Sequence, residues 1–435
     1  MIHQGDLFDV LPTLEADSID ACVTDPPYEL GFMAKHWDSS GVAYKPETWA
    51  AVLRVLKPGA HLLAFGGTRT YHRMACAIED AGFEIRDCLS WLYGQGFPKS
   101  LDVSKAMDKA AGADRPVVGF SQQQQQRTPA IGTNAYGDYK GQTGDITAPA
   151  THLAKQWAGW GTALKPGWEP IVLARKAFKG TVAQTVARYG TGAINVDACR
   201  IGTSPEDAAD MERCNTAGSG RRKERATFPL QAGSGAGALD CSQGRWPANV
   251  LLDDEAARLL DEQTGEMVDG VAVGGKHSAS GSNAIYMRMP KREGADNVGF
   301  GGRGGASRFF YVAKPSREER DYGCHDLAPR SGGEATDRQD GSAGVNSPRA
   351  GAGRTGGARN IHPTVKPVEL MRWLVRLVTP PNGLVLDPFT GSGTTGMACR
   401  YEQRRFIGIE REAEYVAIAE RRIAAVAPLF GEATA

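Results

Sequence analysis

The chain has 435 residues, 41% of them hydrophobic, enough for a sizeable core and two or three domains. Fifty basic residues balance fifty acidic ones, so the net charge argues mildly against a nucleic-acid binder, and local charge matters more than the total. No stretch approaches the roughly 18–20 apolar residues of a membrane helix. The start, MIHQGDLFDVLPTL, lacks the layout of a secretory signal, and eight scattered cysteines without a C-x-x-C pair speak for reduced thiols rather than a zinc site. The expectation is a soluble, cytoplasmic protein with no metal and no membrane contact.

In chain order, Ser18 to Thr24 predicts a strand ending at Asp25. Trp49 to Leu56 predicts a helix stopped by Lys57-Pro58-Gly59, and Ala60 to Phe65 a buried strand. Tyr71 to Ala81 fits a helix closed by Gly82, Phe83 to Tyr93 the next strand, and Glu169 to Ala174 one more. Glycine is abundant, 54 of 435 residues against a usual share of about 7%, and concentrates around 216–237, 299–305 and 331–357. These stretches read as flexible loops, as does 121–150 with its run Gln122 to Gln126.

Towards the C-terminus, Val368, Met371, Trp373, Leu374, Val375 and Val378 keep helical spacing, and Pro380-Pro381 ends that helix. A strand over Gly383 to Asp387, a Gly/Thr-rich turn, a helix to Tyr401, a strand over Arg405 to Glu410 and a helix over Glu414 to Val426 follow. Strands alternating with helices predict an α/β fold with a doubly wound, mostly parallel sheet, its two halves separated by the middle of the chain.

Two motifs carry chemistry. Asp25-Pro26-Pro27-Tyr28 ends a predicted strand. Its prolines remove two N–H donors and hold Asp25 extended, leaving a carboxylate, bare carbonyls and an aromatic ring. That corner is either a stiff turn or a site for a flat base that offers N–H donors, the ring stacking on it for about 1–3 kcal/mol. Asp387-Pro388-Phe389-Thr390-Gly391-Ser392-Gly393-Thr394-Thr395 follows a strand and opens a helix, with neither P-loop nor G-x-G-x-x-G spacing. Glu410 ends the next strand, as an acid that binds ribose hydroxyls would, so an adenosine-containing ligand is expected.

These motifs in this order resemble the β class of DNA amino-methyltransferases, circularly permuted, with D-P-P-Y first and F-x-G-x-G (Phe389 to Gly393) last. Gly5-Asp6 resembles the family's G-D element, and His362-Pro363-Thr364-Val365-Lys366-Pro367 its H-P-T-x-K-P element. Glu169 to Lys176 resembles its late strand, though Trp168 stands where His is frequent and is given no function. Trp157 to Lys176 and Ser307 to Arg320 look like segments of phage- and prophage-borne methylases.

The resemblance implies a site-specific methyltransferase with S-adenosylmethionine as cofactor, acting on N6 of a flipped-out adenine in double-stranded DNA. The implied catalytic residues are Asp25, Pro26, Pro27 and Tyr28. The implied cofactor residues are Asp6, His362, Thr364, Lys366, Asp387, Phe389, Gly391, Gly393, Thr394 and Glu410. Phe389 is equally a core residue, and Lys366 either pairs with a carboxylate or extends to solvent.

The resemblance covers a catalytic half at 1–110, a return to the sheet at 160–176 and a cofactor half at 306–435; between them, 111–159 reads as a flexible insertion and the insert-like 177–305 as the candidate target-recognition region. Within 177–305, Arg221, Arg222, Lys223 and Arg225 are either a solvated loop or a phosphate-binding run. N4-cytosine methylation, methylation of an RNA base or a protein glutamine, and a silent DNA-binding module are the rivals. A cognate restriction endonuclease and a homodimer stay open.

Overall fold

The computed structural model describes residues 1–29, 40–94, 96, 100–120, 131–134, 137–140, 145–203, 244–268, 303–313, 317–330 and 359–426. Among them, nine strands form one sheet: β1 (Ile2–Gln4), β2 (Ile19–Thr24), β3 (Leu56–Phe65), β4 (Phe83–Leu92), β5 (Trp168–Lys176), β6 (Val250–Asp253), β7 (Tyr311–Ala313), β8 (Leu384–Asp387) and β9 (Arg405–Glu410). Their order is β1-β9-β8-β2-β3-β5-β4-β6-β7. All neighbours are parallel except β5, which runs antiparallel to both β3 and β4.

Alternation along the strands builds two cores, because successive side chains point to opposite faces. Ala21, Val23, Leu63, Phe65, Ile171, Leu173 and Val385 face one core, with the helix Val368–Val378. Cys22, Leu62, Ala64, Val172, Ala174 and Leu386 face the other, with the helices Pro46–Val55 and Tyr71–Asp80. A sheet covered on both faces needs near-continuous apolar strands, which is how these segments read. The expected apolar face of the 368–378 helix is buried throughout, Trp373 stacking on Tyr311 at 5.4 Å between ring centres.

The structure departs from expectation at three places. Lys57-Pro58-Gly59 does not end a helix before a strand; it lies inside β3, as an irregularity opposite β2. The Pro58 carbonyl accepts from Thr191 Oγ1 at 2.6 Å, and Lys57 pairs with the buried Asp20 at 2.6 Å. Second, β6 and β7 are short strands that extend the sheet beyond β4, so part of 177–305 belongs to the sheet.

Third, the chain divides into two compact units, Met1–Gly94 with Trp168–Ala435, and Gln95–Gly167. In the second unit, helices Val103–Ala110 and His152–Gln156 accompany an antiparallel pair, Val117–Phe120 with Asp145–Thr147. Its hub is Asp108, buried, with carboxylate oxygens accepting from Ala150 N–H, Thr151 N–H, Thr151 Oγ1 and Arg115. Burial works against that charge, but the donors from Thr151, Ala150 and Arg115 prevail and hold the carboxyl down at about 2. A polar hub of this kind has no signature in hydrophobic period, so the helix around Asp108 has no reading of its own in the sequence.

Asp108→Ala strands these donors at once. The expected result is loss of amide-exchange protection across the described part of 95–167, with β2 and β3 still protected. Unchanged protection near Thr151 would contradict the hub.

Candidate active site

Strands β2 and β8 pair through Ala21–Val385 and Cys22–Leu386, so Asp25 and Asp387 come to the same edge of the sheet. β3 lies on one side of this pair and β9 on the other. That is the switch point at which open α/β sheets leave a crevice.

Asp387 is buried and spends both oxygens on its surroundings. Thr24 Oγ1 donates to Oδ1 at 2.6 Å, Phe389 N–H to Oδ1 at 3.1 Å, and Thr395 Oγ1 to Oδ2 at 2.6 Å. Burial still pushes its pKa up to about 6. Asp387 therefore braces the Gly-rich turn from inside. Phe389 packs against the buried Trp49, with ring centres 6.5 Å apart, which favours the core alternative for this residue.

The turn is clamped elsewhere too. Gly391 and Gly393 have φ of +51° and +81°, which side-chain-bearing residues rarely adopt. A Cβ on Gly391 would lie 2.7 Å from His362 Nε2, and one on Gly393 2.8 Å from the Ala419 Cβ. Gly391 N–H donates to Glu410 Oε2 at 2.8 Å, and Glu412 N–H to Oε1 at 2.9 Å; burial raises the Glu410 pKa. Asp6 stands at the next strand end. Gly5 N–H donates to the Glu410 carbonyl at 2.9 Å, and Asp6 Oδ1 accepts from Phe8 N–H at 2.9 Å.

Sequence reasoning missed Arg422. It is fully buried, and its Nη1 donates to the Ser392 carbonyl (2.6 Å), Ser392 Oγ (3.0 Å) and Thr394 Oγ1 (3.1 Å). Its Nη2 donates to the Glu319 carbonyl at 3.0 Å, and burial brings its pKa down to about 10. Beside Arg421 it looks like half of a solvated pair. Thr394 is thus held by Arg422, and the Thr364 side chain is exposed while its carbonyl meets His362 Nδ1. His362 packs edge-on against Tyr415 at 4.7 Å; loss of hydration pulls its pKa down to about 4.

At the D-P-P-Y corner, Lys366 resolves its alternatives by pairing. Its Nζ lies 2.7 Å from Asp25 Oδ2, 3.0 Å from Tyr28 OH and 3.4 Å from Glu169 Oε2. Burial would lower the Lys366 pKa, but the two carboxylates outweigh it and raise it. Tyr28 OH donates to Glu169 Oε2 at 3.0 Å, and burial, Asp25 and Glu169 push that phenol well above its usual range. Glu169 is the second residue that sequence reasoning missed, although a lone acid heading an apolar strand (EPIVLA) was a usable signal. Trp168 packs against Tyr71, ring centres 5.8 Å apart. Asp25 Oδ1, by contrast, is buried and has no hydrogen-bond partner among the described residues. Arg221, Arg222, Lys223 and Arg225 lie outside the described residues.

The arrangement gives one open acceptor oxygen, a fixed aromatic ring, and a glycine turn too tight for any Cβ. Asp387 and His362 also give a pH signature. Asp387 binds its proton more tightly folded than unfolded, so its contribution is full below about 3.8 and lost as pH rises through 6. His362 does the reverse: its contribution is full above 6.5 and lost as pH falls towards 4. Between about pH 4 and 6 the two oppose each other. In Asp387→Asn the thermal midpoint should climb with pH across this window more steeply than in the unaltered protein; parallel curves would contradict the assignment.

A family model described as DNA methylase matches residues 19–421. Over 70 residues the chain is 41% identical to the type II methyltransferase M.HinfI of Haemophilus influenzae, covering 16% of this chain and 20% of that protein. Over 62 residues it is 45% identical to the type II methyltransferase M2.LlaDCHI of Lactococcus lactis subsp. cremoris, covering 14% and 23%. The chain thus spans about a fifth of the length of these relatives. Among solved structures, the PvuII DNA methyltransferase (cytosine-N4-specific) aligns over 97% of this chain and 85% of its own, with 13% identity and a TM-score of 0.38.

Proposed function

The chain belongs to the N6/N4 DNA methylase family, and we propose that it is a site-specific methyltransferase that uses S-adenosylmethionine to methylate N6 of an adenine extruded from duplex DNA. The observation that carries this reading is the buried, unpartnered Asp25 Oδ1 beside an oxygen already neutralised by Lys366. A buried acceptor without a donor costs free energy of order 1–3 kcal/mol, and an exocyclic amine supplies the missing N–H.

The cofactor fits the opposite half. The Gly391–Gly393 turn would line it, with Glu410 and Asp6 at the neighbouring strand ends for ribose hydroxyls. When bound there, S-adenosylmethionine supplies a methyl group activated by its sulfonium.

This chain's residues then handle the amine, whose lone pair is delocalised into the base ring. Asp25 Oδ1 accepts one N–H and the Pro26 carbonyl the other, which favours a pyramidal nitrogen with its lone pair directed at the methyl. Tyr28 stacks on the base, its ring fixed because its hydroxyl is held between Lys366 and Glu169. Positioning and directed hydrogen bonds supply most of the acceleration. The nitrogen must shed a proton as the methyl arrives, and Asp25 Oδ1 is the nearest open acceptor on this reading. Asp at the first motif position favours adenine over cytosine. Region 177–305 is proposed to read the target sequence, anchored to the sheet by β6.

Nucleosides from DNA incubated with the protein and S-adenosylmethionine should contain N6-methyladenine. N4-methylcytosine would keep the mechanism and overturn the base assignment; no methylated base would overturn both. Asp25→Asn should slow transfer by about 10²–10³-fold or more while cofactor affinity stays within a few-fold. Replacing Arg221, Arg222, Lys223 and Arg225 by serine should flatten the salt dependence of DNA binding, and an unchanged slope would exclude that run from the phosphate contacts.

A further inference from the structure

We propose that Gln95–Gly167 is a DNA-gripping module that binds the duplex through its backbone, a role that rests on the methyltransferase reading above. The first support is charge. The chain as a whole is neutral, yet this stretch has eight Lys and Arg against five Asp and no Glu. Lys105 and Lys109 are exposed one turn apart on the Val103–Ala110 helix, and Lys155 is exposed on His152–Gln156. No carboxylate among the described residues pairs with these three lysines, whereas Arg115 is committed to Asp108. Unpaired lysines on one small unit are a sequence-independent footprint for phosphates.

The second support is aromatic. Trp157 and Trp160 meet edge-on at 5.0 Å and are 36% and 60% exposed. A pair of indoles left in water marks an interaction surface. Val103 N–H donates to the Trp160 carbonyl at 3.1 Å, which ties the pair to the head of the lysine-bearing helix. Flat apolar faces beside ammonium groups match what a duplex opened at one base offers, namely unstacked base and sugar surface between phosphates. A duplex is favoured over a protein partner because eight cationic side chains stand against five aspartates, one of which, Asp108, is already paired with Arg115.

The third support is connectivity. The unit is inserted between β4 and β5, where Leu92 pairs with Trp168. Glu169, which meets Tyr28 and Lys366, is two residues beyond the unit's last residue.

The test uses the full chain and a labelled mixed-sequence duplex, with S-adenosylmethionine affinity measured alongside as a check on the other unit. Lys105→Ser/Lys109→Ser/Lys155→Ser should weaken duplex binding and lower the slope of log affinity against log salt by about 2–3. Trp157→Ala/Trp160→Ala should weaken binding at least about tenfold with the slope kept, since stacking carries no counterion release. Cofactor affinity should stay unchanged in both. Variants that bind duplex with unaltered affinity and slope overturn the module while leaving the methyltransferase reading intact, and point to a protein ligand for the indole pair. An unaltered chain that binds cofactor but neither binds nor methylates DNA overturns both.

Discussion

One ammonium group ties the D-P-P-Y corner together. Lys366 reaches Asp25 across 341 positions of sequence, and Tyr28 and Glu169 complete the contact. Two partly buried carboxylates and a phenol converge there, and like charges withdrawn from water are tolerated only where a cation meets them. The pairing leaves Asp25 asymmetric: Oδ2 is neutralised and Oδ1 is open. Asp387 lies beside it on the neighbouring strand and is the opposite case, with both oxygens satisfied by Thr24, Thr395 and Phe389 N–H. One carboxylate thus keeps an unpartnered oxygen while the other has none, and their surroundings decide which is which.

The second half of the site depends on close approach. The Gly391–Gly393 turn is pressed between His362 and Ala419, laced to Glu410 through a backbone N–H, and held from beneath by Arg422. A loop so constrained loses little freedom on binding, which is how a glycine-rich segment can be both permissive in sequence and rigid in structure.

Much of this was legible in the sequence because it is local. Strands β2, β3, β5, β8 and β9 announce themselves by apolar runs, and D-P-P-Y and F-x-G-x-G by residue type at a strand end. What stayed hidden is non-local. Glu169 and Arg422 acquire meaning only through partners far away in sequence. β6 and β7 are too short for a period to show, and they are strands because β4 offers them an edge. Pro58 reads as a stop because a proline in a strand is penalised, yet the irregularity opposite β2 accommodates it. The helix around Asp108 had no reading of its own, because a buried carboxylate rather than an apolar stripe organises it.

On the proposed reading, Lys366 serves the chemistry by orienting Asp25. A double-mutant cycle in single-turnover methyl transfer tests it most directly, with Asp25→Asn, Lys366→Met and the pair compared, and cofactor affinity followed in each. If the claim holds, the penalty of Asp25→Asn shrinks sharply once Lys366 is gone, because the oxygen it removes is no longer held in place. If the two losses instead multiply as independent effects, Lys366 and Asp25 serve separate steps and the account of the site is wrong.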